Sequence, residues 1–218
     1  MKSRTHMVVG VAGSLLLVHP QSWHMLISGV IVAVVGGTVS DIDARQSRPR
    51  SRATLLIAFV FLAVVAMFVL DGHYNLGLYQ LIISNQQLLE IIEGSVAFVL
   101  ICALGMNIKH RAFMHSFFCM VALSFCVFLI NPDIVPFFMI SFLAHIFLDY
   151  LNSYDIWFMY PFPFCKHCLR WTSDDGFTDR ILFMLGTAAS IWLIILLAAD
   201  IGGFFTWFSG LENAEFHN

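Results

Sequence analysis

Seven residues in four short stretches carry side chains that a metal ion could use. They are His6 in "THMVVG" (5–10), Asp41 and Asp43 in "SDIDA" (40–44), His110 and His115 in "HRAFMHS" (110–116), and His145 and Asp149 in "HIFLD" (145–149). Imidazoles with carboxylates suit zinc, manganese or iron, and paired aspartates suit a bridged two-metal site. His145 and Asp149 are four apart, so a helix sets them on one face, a turn from each other. His110 and His115 are five apart, and an unbroken helix would point them about 140° from one another. His110 is therefore expected on an entering loop and His115 within the first helical turn. Asp41 and Asp43 suit a frayed helix end or extended segment that turns both toward one centre. Taken singly, most have a plainer reading: His6 as an interfacial residue, the aspartates as solvation for a loop, His110 as part of a basic turn. His145 resists that reading, because an ionisable residue inside an apolar span is costly and usually functional.

The chain that must position these groups is strongly apolar. It has 218 residues, 59% of them hydrophobic and 11% charged, with a mean hydropathy of +0.83. Soluble domains carry about 25% charged residues, so the composition is that of a multi-span membrane protein. The 22 phenylalanines suit lipid-facing surfaces, and no nucleic-acid partner is expected. Seven apolar stretches lie at roughly 6–18, 23–40, 53–70, 88–106, 113–130, 134–151 and 181–199. They predict an all-α polytopic membrane bundle, one integral domain over 1–218, with no cleavable leader and no repeat or linker. The first two form a short helix pair turning at "HPQSWH" (19–24), with Gly10, Gly13, Gly36 and Gly37 permitting close packing. The "NPD" connection at 131–133 is too short for anything but antiparallel neighbours.

Charge then orients the bundle. If all seven stretches cross and Lys2 and Arg4 are cytoplasmic, so are Arg45, Arg48, Arg50, Arg52, Lys109, Arg111, Lys166, Arg170 and Arg180. That puts all 11 Lys and Arg on one side. The opposite side receives Asp71, Asp133, Asp200, Glu212 and Glu215. The seven candidate ligands all fall at the cytoplasmic depth. His19, His24 and His73 fall on the far side, and His167 and His217 carry no assigned role. Glu93 is expected as a buried polar contact. Of the five cysteines, Cys102, Cys119 and Cys126 read as small buried hydrophobes. The Cys165-Lys-His-Cys168 pair lacks the second pair of a structural zinc site and reads as loop.

These pieces resemble the YdjM-type family of membrane-bound, metal-dependent hydrolases, LexA-regulated proteins of the inner membrane. The match runs in order through "THMVVG", "SDIDA", "HRAFMHS" and "HIFLDYLNSYDIWFMYPF" (145–162). The resemblance implies that His6, Asp41, Asp43, His110, His115, His145 and Asp149 bind metal and carry the catalysis. It also implies a bacterial inner-membrane location and a distant likeness to zinc-dependent phospholipase C and P1 nuclease. After Pro161 the match fades; Asp179-Arg180 stands where the family often has Glu-Arg, so Asp179 is a further candidate ligand.

The expected function is hydrolysis of a phosphoester of a lipid or lipid-linked substrate at the cytoplasmic membrane surface. A divalent ion, zinc first, with manganese, iron or magnesium as alternatives, would activate water. Asp41, His110, Arg111 and His115 are the expected catalytic residues, with Arg111 and Arg45 near the phosphate. Ser116 is expected as a helix-start hydroxyl rather than a nucleophile. The aromatic run at 154–164 would suit the headgroup layer and line the substrate's entry. The rival class is a membrane metal transporter or sensor, which would spread ionisable residues toward the bilayer midplane.

Overall fold

The computed structural model describes residues 1–44, 48–74, 76–162, 166–171 and 176–203. Arg45, Cys165, Glu212, Glu215 and His217 lie outside the described residues. The chain is all-α, as its composition implies. The helices are α1 (Ser3–Leu17), α2 (Trp23–Val39), α3 (Arg48–Tyr74), α4 (Leu78–Ser84), α5 (Gln86–Gly105), α6 (Phe117–Ile130), α7 (Val135–Tyr150) and α8 (Phe177–Ile201). Two short strands, β1 (Ile156–Trp157) and β2 (Lys166–His167), pair antiparallel within the α7–α8 connection.

Every predicted apolar stretch falls on a helix, but length separates them. Among the described residues, four helical stretches are long and apolar enough to cross a membrane: Trp23–Asp43, Gln86–Gly105, Pro132–Tyr150 and Phe177–Ile201. The 15 residues of α1 and 14 of α6 rise about 22 and 21 Å at 1.5 Å each, short of a ~30 Å hydrocarbon core. Length and composition together therefore support four crossings among the described residues rather than seven; α3, at 27 residues, is long enough to cross but is not one of the four.

Local signals explain the helix ends. Ser22, Asn85 and Ser116 each accept a hydrogen bond from a first-turn amide, of Met25, Leu88 and Cys119 in turn. Asp71 at the end of α3 accepts from the amides of Leu78 (2.8 Å) and Tyr79 (3.1 Å), which folds the short α4 back at once. Between α6 and α7, Pro132–Ile134 forms a single 3₁₀ turn, and the Asn131 side chain accepts from the Asp133 amide at 2.9 Å. The antiparallel α6–α7 neighbours follow from it.

The core is built where small residues let backbones meet. A Cβ on Gly36 would lie 2.7 Å from the Phe138 carbonyl oxygen, and one on Gly37 would lie 3.0 Å from the His6 carbonyl oxygen. A Cβ on Gly10 would collide with Ser141, whose hydroxyl instead donates to the Ala33 carbonyl. So α1, α2 and α7 form one tight three-helix unit, with Phe137, Phe138 and Phe142 fully buried beside it. Gly13 has no such close neighbour. Helix α8 lies along α1, where the Ser190 hydroxyl donates to the Val8 carbonyl at 3.0 Å. Cys102, Cys119 and Cys126 are buried, as expected of small apolar residues. Glu93 is exposed, which corrects the expectation of a buried contact. Leu55, Phe59, Leu62, Phe118, Phe125 and Trp192 point outward, the apolar coat expected of a lipid-facing surface.

Helix ends gather at one pole. The Arg50 guanidinium donates to the Met106 carbonyl at 2.7 Å, tying the start of α3 to the end of α5. The Lys2 amide donates to Asp179 at 3.2 Å, tying the start of α1 to the start of α8. The end of α2 and the approach to α6 meet at the same pole, with the last turns of α7.

Candidate metal centre

At that pole the predicted residues converge. His6, His115 and His145 are fully buried, and Asp43 and Asp149 almost so. His6 comes from the second turn of α1, and its ring stacks on that of His145 with centroids 4.0 Å apart. Gly37 and Gly10 make this possible, because only glycine lets α1 and α2 approach α7 so closely. His145 and Asp149 share one face of α7, as their spacing predicted. The Nδ1–H of His145 is held 2.9 Å from the Gly37 carbonyl, so its Nε2 lone pair faces the cluster.

Ligand-type atoms crowd around that point. Asp149 Oδ1 lies 3.3 Å from His6 Nε2, and Asp149 Oδ2 lies 3.1 Å from His115 Nε2 and 3.8 Å from His145 Nε2. His145 Nε2 lies 3.4 Å from His115 Nε2 and 3.7 Å from Asp41 Oδ1. Zinc bonds of about 2.1 Å set neighbouring ligand atoms roughly 3.4 Å apart around a tetrahedron, so the spacing fits a metal ion. The hydrogen-bond count agrees: both ring nitrogens of His6, His115 Nδ1 and Asp149 Oδ2 are buried without a hydrogen bond. Buried polar atoms left this way are costly unless a ligand satisfies them. Among the described residues, three overlapping groups could hold an ion: His6, His145 and Asp149; Asp41, His115 and His145; Asp43, His110 and His115.

The two aspartates diverge. They lie in a 3₁₀ turn, Ser40–Asp43, not in an extended segment. Each 3₁₀ residue advances about 120°, so positions two apart face different ways. Asp41 turns toward His145. Asp43 turns toward the loop, where its Oδ1 lies 2.6 Å from His110 Nδ1 and its Oδ2 lies 3.4 Å from His115 Nδ1. His115 therefore stands between two sets, Nε2 facing Asp149 and His145, Nδ1 facing Asp43. The seven residues sort into an inner set (His6, Asp41, His115, His145, Asp149) and an Asp43–His110 pair at the mouth. The His110 side chain is 42% exposed, the one solvated ring of the cluster.

His115 sits earlier than its spacing suggested. It ends a 3₁₀ turn, Phe113–His115, ahead of the Ser116 cap, rather than lying in the first turn of α6. The Ser116 hydroxyl donates to the Phe113 carbonyl at 2.7 Å and caps the helix, a structural task. Burial opposes charge on His115, but the carboxylates of Asp149 and Asp43, 3.1 and 3.4 Å from its two nitrogens, prevail and push its pKa up to about 10.

Arg111 is wired into the same site. It adopts a left-handed backbone, φ 62°, uncommon for a side chain of this size. Its amide donates to Asp43 Oδ2 at 3.1 Å, and its carbonyl accepts from the Trp157 amide at 3.1 Å. The guanidinium lies 3.4 Å from Asp149 Oδ1, donates to the Tyr154 carbonyl at 3.2 Å and covers the Tyr154 ring. The aromatic run thus serves first as a brace: Phe158 accepts from the Phe117 amide and stacks on the Phe117 ring. Its exposed Tyr154 also edges a cleft of about 410 Å³ lined by Lys109, His110, Arg111 and Asp155. Asp179 is buried in the first turn of α8 and belongs to none of the three ligand groups. It anchors the start of α1, four residues before His6.

Sequence reasoning missed Gly37, whose carbonyl orients His145; the glycine pair signalled close packing but not that role. It also assigned nothing to Arg50 and Lys109, which line a second cleft of about 560 Å³ with Asp43 and His110.

No curated protein and no solved structure matches the chain. The family model described as YdjM inner membrane protein matches residues 1–211, and the chain belongs to that inner-membrane family.

Proposed function

We propose that this protein is a metal-dependent hydrolase that cleaves a phosphoester of a lipid or lipid-linked substrate at the cytoplasmic face of the inner membrane. The observation that carries the reading is the inner set: five His and Asp side chains whose facing nitrogen and oxygen atoms lie 3.1 to 3.8 Å apart in a buried pocket. His6, Asp41, His115, His145 and Asp149 would hold the ion, and a donor set rich in imidazole favours zinc. When bound, a divalent ion supplies Lewis acidity and lowers the pKa of water.

The chain's own groups provide the rest. Asp43 fixes the tautomer of His110 by taking its Nδ1–H, leaving Nε2 exposed to accept or return a proton at the mouth. The Arg111 guanidinium is held over the inner set, where an anionic phosphoryl oxygen would find it. The charge map favours seven crossings with every basic residue cytoplasmic, α1 and α6 being short helices sheltered by their neighbours. Clustering of the ligand-type residues at one pole favours a surface site over a conduit.

Metal analysis of purified protein tests the reading. Wild type should carry near-stoichiometric metal, while Asp41→Ala and His145→Ala should lose most of it. Equal, substoichiometric metal in all three would remove the proposal. Phosphodiester and lipid-phosphate turnover that survives both substitutions would remove the mechanism.

A further inference from the structure

Two cavities beside the inner ligand set are built from neighbouring residues of the same elements. An apolar groove of about 280 Å³ is lined by Val35, Val39 and Ile42 from α2 and its 3₁₀ turn, by Ala53 and Ile57 of α3, and by Phe98 of α5. The polar cleft of about 560 Å³ is lined by Asp43 of the same turn, Arg50 of α3, and Lys109 and His110 just beyond α5. The two are back to back. Ile42 and Asp43 are consecutive in the 3₁₀ turn, so one faces the groove and the other the cleft. On α3, Arg50 borders the cleft while Arg52, Ala53 and Ile57 border the groove. The Arg50–Met106 hydrogen bond joins the α3 and α5 sides of the cleft.

This layout matches one kind of molecule. A groove of apolar side chains opening beside helices with an exposed apolar coat takes an alkyl chain. A cleft with Arg50, Lys109 and His110 takes an anion, and Arg52 adds a second guanidinium at the groove's rim. The groove is small, so it accepts part of one chain and leaves the rest in the bilayer. Asp43 places the cleft directly against the metal pocket through His110 and His115.

We infer that the 3₁₀ turn, α3 and α5 form a slot for a phospholipid-type amphiphile drawn sideways from the bilayer, its phosphate in the Arg50–Lys109–His110 cleft and one acyl chain in the Val39–Ala53–Phe98 groove. The inference rests on the phosphoester reading for its catalytic meaning, but occupancy of the slot does not require turnover.

The test is photo-crosslinking of full-length protein in nanodiscs of phosphatidylethanolamine and phosphatidylglycerol, with a phosphatidylglycerol carrying a diazirine in one acyl chain. Label should map to peptides spanning 34–57 and 98–102. Ala53→Trp fills the groove and should cut that label about tenfold, since even two displaced methylenes cost that much in occupancy. Val99→Trp, at an α5 residue that also lines the groove, serves if Ala53→Trp fails to fold. Arg50→Gln should erase preference for phosphatidylglycerol over a zwitterionic probe. Asp41→Ala, lacking metal, should keep the label. Label elsewhere, or unchanged in a folded groove-filled variant that retains its metal, overturns the slot. Label in the slot with no metal in wild type leaves the slot standing and overturns only the hydrolase reading.

Discussion

The ring of His115 is shared between two carboxylates, and that sharing has a measurable consequence. Its raised pKa, about 10, means that metal-free protein holds this imidazole protonated at neutral pH. Binding an ion through Nε2 must expel that proton. Metal affinity should therefore rise with pH between 7 and 10, by about tenfold per unit for one displaced proton. Calorimetry at pH 7 in buffers of different ionisation enthalpy should detect the release, and His115→Gln should flatten the slope. Stability has the opposite sign. A folded pKa raised above the reference 6.5 stabilises fully below that value, and the contribution is lost as pH climbs through about 10. The metal-free protein should melt at lower temperature at pH 10 than at pH 7, while holoprotein should not follow. At the mouth, His110→Gln should reduce kcat by roughly 100- to 10,000-fold, the usual worth of a general acid or base, with metal content retained. Loss of metal instead would make His110 a ligand. The convergence of these seven residues was legible, because the distribution of Lys and Arg put them at one depth. Their division was not: it depends on a four-residue 3₁₀ turn, which no apolar periodicity announces.

At the scale of elements, the metal pocket is only as good as the contact of α1 and α2 with α7. Gly36 faces the backbone of Phe138, not a side chain that could swing away. Gly36→Ala should therefore cost about 1–3 kcal/mol, the range for overpacking a tight contact, and should loosen Gly37 from His145 as well. Thermal unfolding in detergent, read together with bound metal, should show both falling. Gly13→Ala, whose nearest neighbour is 3.9 Å away, should change neither. The helix pair and three of its four glycines were readable from sequence, as were the antiparallel α6–α7 turn and the Ser116 cap. The third partner was not, because Ser141 and Phe138 look like ordinary residues of an apolar span and only tertiary packing sets them against Gly10 and Gly36. Helix α4 escaped for a different reason: it exists because Asp71 reaches two amides across a loop, a contact between positions seven and eight apart.

For the whole molecule, the number of crossings and the side of the membrane that the metal pole faces are separable and can be read together. Helices α1 and α6 are short, yet α1 packs between α2, α7 and α8, and α6 lies against α5 and α7, so neither need meet the full bilayer thickness alone. The start of α3 and the 3₁₀ turn between α6 and α7 provide the discriminating pair. Between Arg48 and Asp133 the chain runs through α3, α5 and α6, with α4 as a short return. If all three cross, the two positions lie on opposite sides; if α6 is re-entrant, they lie on the same side. Cysteines placed at Arg48 and Asp133, each alone in a protein with all five native cysteines changed to serine, can be labelled with an impermeant maleimide in spheroplasts. Asp133→Cys should label in intact spheroplasts and Arg48→Cys only after lysis. Labelling of both from outside would make the charge map misleading and move the pocket to the periplasmic face. Labelling of neither until lysis would make α6 re-entrant while keeping the pocket cytoplasmic, because Arg48 adjoins the 3₁₀ turn that carries Asp41 and Asp43.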